Sequence, residues 1–196
     1  MSRRLYTADL HLGHEKVASV RGYDSVADHD DAIMAPLLEL GKGDQLWILG
    51  DLHAGGAAGE EHALDLLAEI DERVELFLVA GNHDRCWPGH RDAHRHTDTY
   101  LEVFDSVSAF ARFRVNGDPI LASHFPYVGD HTEAERYPEF RLRDTGAWLL
   151  HGHTHATEAY QPAIHPRQIC VSVDAWGRPV TDGEVIAIVA ATERGE

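Results

Sequence analysis

Cysteine is nearly absent from this chain, with Cys86 and Cys170 the two in 196 residues. They form no CxxC pair and no disulfide framework, which fits a reducing compartment with both thiols free. Long hydrophobic runs are missing as well. Met1-Ser2-Arg3-Arg4-Leu5 leads straight into a strand pattern, and no apolar segment is long enough for export or for spanning a bilayer, so the expectation is a soluble, cytoplasmic protein with no membrane partner. Positive charge is scarce: 17 Lys and Arg stand against 33 Asp and Glu, a formal charge of −16. Such an acidic surface repels polyanions at long range unless a local cationic site overrides it, which makes extended duplex nucleic acid a poor partner. No repeat, linker or low-complexity segment divides the chain, and its length suits one packed domain over residues 1–196.

What the chain has in quantity is histidine, 15 residues, and their placement carries the information. The apolar run Val74 to Ala80 reads as a buried strand that stops at Gly81-Asn82-His83-Asp84. Taken alone, that tetrapeptide is also ordinary turn sequence. Four more apolar segments end in the same manner: Leu5 to Leu10 in Asp9-Leu10-His11, Gln45 to Leu49 in Gly50-Asp51, Ile120 to Ser123 in His124, and Trp148 to Leu150 in His151-Gly152-His153-Thr154-His155. In extended backbone, residues two apart point the same way, so Asp9 with His11 and His153 with His155 are each expected to present two groups to one place. Glycines at 50, 81 and 152 permit close backbone approach at those ends. Carboxylate, imidazole and amide oxygen together suit Mn²⁺, Fe or Zn²⁺ better than Ca²⁺ or Mg²⁺. Seven such donors are too many for one ion with open positions and about right for two.

The rest of the chain frames these ends. Helical spacing runs from Asp28 to Leu40 (Ile33, Leu37, Leu40), closed by Gly41 and bent or shortened by Pro36, and again from Glu60 to Ile70. Strands are expected at Val103 to Val107, Phe110 to Val115, Gln168 to Val173 and Glu184 to Val189, with a turn at Asn116-Gly117-Asp118-Pro119. Arg85 to Thr99 reads as a loop too polar to build core, and Val128 to Thr145 as a second polar insertion.

In their order, Asp9-Leu10-His11, Gly50-Asp51, Gly81-Asn82-His83-Asp84, His124 and Gly152-His153-Thr154-His155 resemble the calcineurin-like metallophosphoesterase family, especially its small bacterial and phage members. The likeness extends from Leu5 to about Val189 and takes in Arg21-Gly22-Tyr23-Asp24-Ser25 and Val171-Ser172-Val173-Asp174-Ala175-Trp176. It implies an α/β fold, a four-layer α/β/β/α sandwich of two mixed sheets flanked by helices. It also implies one divalent ion held by Asp9, His11, Asp51 and His155 and a second held by Asp51, Asn82, His124 and His153, with Mn²⁺ foremost and Fe, Zn²⁺ or Ni²⁺ as alternatives. Two divalent ions against the charges of Asp9 and Asp51 leave a cationic site in an anionic protein, able to draw in a small phosphate ester. In the two-metal scheme, ions roughly 3.5–4 Å apart share a water, lower its pKa and clamp the phosphoryl oxygens. His83, beside Asn82 but outside the donor set, is then the general acid, with Asp84 either orienting it or structural.

Other polar residues have plainer readings. His14, His29, His62, His90, His94, His96, His131 and His165 lack motif context and read as solvated surface. His53 and His151 flank donors and are candidates for supporting them. Arg85 reads as an exposed loop residue, Cys86 as a buried small side chain, and Trp148 and Trp176 as core. Protein Ser/Thr phosphatases of the superfamily carry Gly-Asp-x-x-Asp-Arg, whereas Asp51 is followed here by Leu52, His53, Ala54 and Gly55, which argues against that activity. The expected substrates are small phosphodiesters, cyclic nucleotides or nucleotide-like esters. The alternatives are a phosphomonoesterase, a nuclease using the Arg85 to Arg95 loop, and a non-catalytic scaffold, which would be expected to have lost donors that this chain keeps.

Overall fold

The computed structural model describes residues 2–115 and 117–195. Two sheets form its centre. The first has the order β4-β3-β2-β1-β9, built from β1 (Arg4–Thr7), β2 (Gln45–Ile48), β3 (Glu75–Val79), β4 (Ser106–Ser108) and β9 (Val180–Thr181). Its strands are parallel except β9, which runs antiparallel to β1. The second has the order β5-β6-β7-β8, from β5 (Ala111–Val115), β6 (Asp118–Ala122), β7 (Trp148–His151) and β8 (Gln168–Cys170), with only β5 antiparallel to its neighbour. Both sheets are mixed and helices flank them, the expected α/β/β/α arrangement.

The period-two rule explains the layering. In the first sheet Leu5, Leu46, Ile48, Leu76 and Leu78 face one core, where Ile33, Met34 and Leu37 of α2 (Val26–Leu38) and Ala63, Leu64 and Leu67 of α3 (Gly56–Leu67) cover them. Tyr6 and Val79 point to the other side, with Leu49 just past β2, and meet Phe113, Ile120, Ala122, Trp148, Leu150 and Ile169 of the second sheet. Trp47 stacks on Phe77 at that second core.

Several expected boundaries move. Glu184 to Val189 is helix, within α6 (Asp182–Arg194): Thr181 caps it and Glu184 reaches back to the Thr181 amide, a capping box whose helix signal outweighs the β-branched run. Val185 and Val189 bury one stripe of it in the inter-sheet core. The segment expected as a strand from Val103 pairs only at Ser106–Ser108, because residues 101–103 turn. Phe110 stays outside β5 and is exposed. The strand beginning at Gln168 stops at Cys170, and Val173 opens α5 (Val173–Trp176). A short helix, α1 (Glu15–Val20), precedes Arg21 where no helix was expected. The polar Arg85 to Thr99 stretch does supply core, through Cys86 and Trp87, and leads into α4 (Thr97–Tyr100), whose Tyr100 is also buried. Of the expected turn at 116–119, Asn116 lies outside the described residues.

Candidate metal centre

The parallel strands of the two sheets open onto one place. β1 leads to Asp9 and His11, β2 to Asp51, β3 to Asn82, His83 and Asp84, β6 to His124, and β7 to His153 and His155. Backbone bonds tie the ends together: Asp9 N–H to the Gly50 carbonyl at 3.0 Å, His11 N–H to that of Asp51 at 3.0 Å, and Gly152 N–H to that of His124 at 3.0 Å. Close approach demands glycine. A Cβ on Gly81 would stand 2.4 Å from Asp51 Oδ1, and one on Gly50 would stand 2.5 Å from the Gly81 nitrogen.

The extended geometry expected for the paired donors is not what places them. Asp9, His11, Asp51, His153 and His155 all have left-handed backbone, with φ of 58°, 52°, 56°, 69° and 50°. Each such residue costs on the order of 1–3 kcal/mol and persists only where its surroundings over-determine it. Concentrating the cost on these five positions is the pattern of a functional site.

The donors fall into two groups, Asp9, His11 and His155, and Asp51, His124 and His153, with ligand atoms in each lying within 4.8 Å of one another. In the first, His11 Nε2 is 3.2 Å from His155 Nε2. In the second, His124 Nε2 is 3.4 Å from Asp51 Oδ2, 3.3 Å from Asn82 Oδ1 and 3.3 Å from His153 Nδ1. Asp51 Oδ2 is also 3.8 Å from His11 Nε2, so one carboxylate stands between the groups.

Electrostatics fit a cation. Asp9 Oδ2 is buried without a hydrogen-bond partner, an arrangement costly for a carboxylate unless positive charge offsets it. Burial pushes the Asp9 carboxyl up, against the pull of His155 and His124. Burial would raise Asp51 too, but His124, then His11 and His83, hold it well below the usual carboxylate range. Burial opposes the charged form of His124, yet Asp51 and Asp9 raise it to about 9. His124 Nε2 would have to give up its proton to hold a cation, so metal uptake there would release one. Burial drives His11 well below its ordinary value and His153 to about 3, which keeps both as neutral, ligand-ready imidazoles. The donor set therefore fits two divalent ions.

His83 is set apart. Its backbone N–H donates to Asp51 Oδ1 at 2.9 Å, its Nδ1 lies 3.3 Å from the Ala54 carbonyl, and its Nε2 is 4.0 Å from Asp51 Oδ2. Asp84 does not reach the His83 ring. It is fully buried and accepts from the backbone amides of Asp51 (3.0 Å), Leu52 (2.9 Å) and Gly81 (2.8 Å), bracing the β2 and β3 ends against each other. Burial and the neighbouring Asp51 raise its carboxyl to about 7 in spite of those donors.

Two further carboxylates, to which the motifs assigned no role, support the donors. Asp174 accepts from His155 Nδ1 at 2.8 Å and forms a two-pronged pair with Arg21 at 2.8 Å. Arg21 also donates to the Asp9 carbonyl at 2.7 Å and the Leu10 carbonyl at 3.0 Å, pinning the β1 end. Asp130, from the polar insertion, meets His153 Nε2 at 3.0 Å and is held by Arg136 and Arg141. Burial opposes ionisation of both carboxylates. The bonds from His155 and Arg21 hold Asp174 well below the ordinary range, and those from Arg136 and His153 do the same for Asp130. The signal for Asp174 lay in the stretch around it and in Arg21-Gly22; nothing local marks Asp130.

The plainer histidines divide. His29 is fully buried, on Asp30 at 2.8 Å, so the surface reading fails for it, because an adjacent carboxylate satisfies the ring. His131 lies over the centre, its Nδ1 3.2 Å from the His153 carbonyl. His53 is buried on the Tyr100 hydroxyl at 2.9 Å, and His151 on the Gly152 carbonyl at 2.8 Å. Arg85 is half-buried, between Glu60 and His96 at 3.0 and 3.1 Å, where an exposed loop residue was expected.

Residues 5–174 match the family model of the calcineurin-like phosphoesterase superfamily domain. The chain belongs to that superfamily. As a calcineurin-like phosphoesterase it is similar to the Gene 66 protein of Mycobacterium phage L5, 43% identical over 198 residues that cover 96% of this chain and 95% of the relative. It is likewise similar to the Gene 66 protein of Mycobacterium phage D29, 45% identical over 202 residues with full coverage of both. A crystal structure from Aquifex aeolicus superposes with a TM-score of 0.72 at 22% identity, over 96% of this chain and 100% of that one, a likeness of fold. Superfamily membership makes the chain a member of a phosphoester-hydrolase family, and among the described residues no helix is long and apolar enough to cross a membrane.

Proposed function

We propose that this calcineurin-like phosphoesterase is a cytoplasmic phosphodiesterase of small esters, cyclic nucleotides or nucleotide-like compounds, working as one domain over residues 1–196 with two divalent ions, Mn²⁺ foremost. The observation that supports the reading is a pair of donor groups with Asp51 between them, its Oδ2 3.4 Å from His124 Nε2 and 3.8 Å from His11 Nε2, and the buried Asp9 Oδ2 left unpaired. Asp9, His11, Asp51 and His155 would hold one ion, and Asp51, Asn82, His124 and His153 the other. Bound there, the pair supplies Lewis acidity toward the phosphoryl group and activates a water near neutral pH.

The chain's own groups do the rest. Asp174 and Asp130 fix the His155 and His153 rings by occupying their outer nitrogens, which leaves His155 Nε2 and His153 Nδ1 turned inward. The backbone bonds and packing that enforce left-handed backbone at five donors also hold those side chains in place, so little rearrangement is needed on binding. With Nδ1–H given to the Ala54 carbonyl, it is the cationic, doubly protonated ring of His83 that carries a second proton on Nε2, and the departing oxygen takes up that one, leaving the ring neutral.

The test compares aryl diesters with aryl monoesters in Mn²⁺, using wild type and His83→Ala. Diesters are expected to be cleaved faster, and His83→Ala to lose about 10²–10⁴-fold in turnover with metal binding nearly intact. Monoesters turned over far faster than diesters would overturn the diesterase assignment; unchanged turnover in His83→Ala would remove that residue from the mechanism.

A further inference from the structure

Resting on the phosphoesterase reading, we infer that the substrate is an asymmetric phosphodiester: one arm apolar or flat, seated in the cleft of α1 and α2, the other polar, seated on the opposite side of His83. His83 stands at the divide between two cavities and lines both. A phosphate at the donor cluster sends two ester oxygens apart, and each cavity is placed to receive one. A monoester would leave one of them unfilled.

The two cavities differ in chemistry. The larger, about 720 Å³, starts at His11 and His155 and runs along an apolar wall of Val17, Val20, Tyr23 and Ile33. Its volume lies inside the roughly 300–1,000 Å³ range of small-molecule sites. Folding accounts for Ile33, which packs in the first core, but not for the α1 part of that wall. α1 buries only Ala18, while Val17 and Val20, one turn apart and so on one face, look into the cleft with Val20 79% exposed. An apolar strip left in water against a charged centre gains stability only when something covers it. Lys16, on the same lining, suits an anionic group travelling with the apolar arm. The smaller cavity, 270 Å³, is lined by Gly55, Gly56, Asn82, Arg85, His90 and Asp92 beside His83, with no large apolar side chain. Hydroxyl and other hydrogen-bonding groups belong there.

Binding tests this apart from turnover. On Mn²⁺-loaded protein, calorimetry compares phenyl phosphate with methyl phosphate, which share the phosphate and differ in the arm. Phenyl phosphate is expected to bind about tenfold tighter, the worth of a ring partly removed from water. Val20→Asn should cost phenyl phosphate about tenfold and methyl phosphate less than twofold, and Val20→Leu should keep the preference. Because Val20 is mostly exposed, neither change threatens the fold. Equal affinities in wild type, or equal losses in Val20→Asn, would overturn the inference, even with methyl 4-nitrophenyl phosphate hydrolysed and the phosphoesterase reading intact. Preference for the phenyl arm without hydrolysis of any ester would uphold the cleft assignment and overturn the proposed function.

Discussion

At the scale of single residues, the donors were legible because chemistry restricts them: few side chains bind a hard or borderline cation, and all seven follow apolar runs. Their supports were not. Asp130 sits in a segment whose composition reads as solvated loop, and only the fold brings it to His153. Nor does an HxH spacing reveal left-handed backbone at both histidines. A testable consequence attaches to Asp130. Removing its charge frees the outer nitrogen of His153, so Asp130→Asn should weaken metal binding at the His124 and His153 group by about 10–100-fold and leave the other group near its wild-type affinity. A two-step Co²⁺ titration read by its visible absorption separates the two. An isotherm and spectrum identical to wild type would deny Asp130 this role.

At the scale of elements, the central strands were readable because each is a short β-rich run that must bury both faces. Errors gathered where two signals compete. In Glu184 to Val189 the β-branched apolar run suggested a strand, while the Thr181-x-x-Glu184 cap fixed a helix, and the cap satisfies amides that a lone strand would leave open. α1 escaped notice because six residues carry too little periodicity. Between α2 and β2, Asp44 accepts from Arg3 and from the Gly41 amide and tethers the start of β1. Those contacts, the Arg3 bond foremost, hold its carboxyl at about 2 against an ordinary 3.8. A depressed carboxyl stabilises the folded state fully above its unfolded value and loses that contribution as pH falls through the folded one. Urea unfolding should therefore show Asp44→Asn less stable than wild type at pH 6, with the gap closing between about pH 4 and pH 2. A gap independent of pH would assign the effect to packing.

For the whole molecule, the balance of charge and the site belong together. In a chain of −16, two divalent ions at the proposed centre would concentrate positive potential at one buried place, which would admit small anions and disfavour long ones. The architecture makes that centre: parallel strands of both sheets end at one edge, and Asp51, at the end of a central strand, faces donors from either sheet. The account rests on Asp51 as the group shared by two ions. The most direct measurement is the metal content of the purified chain after Mn²⁺ loading and removal of excess, for wild type and Asp51→Asn, with retained fold checked by circular dichroism. The account predicts two ions per chain in wild type and loss of both tight sites in a folded Asp51→Asn. A single ion in wild type, or two ions still held by Asp51→Asn, would contradict it.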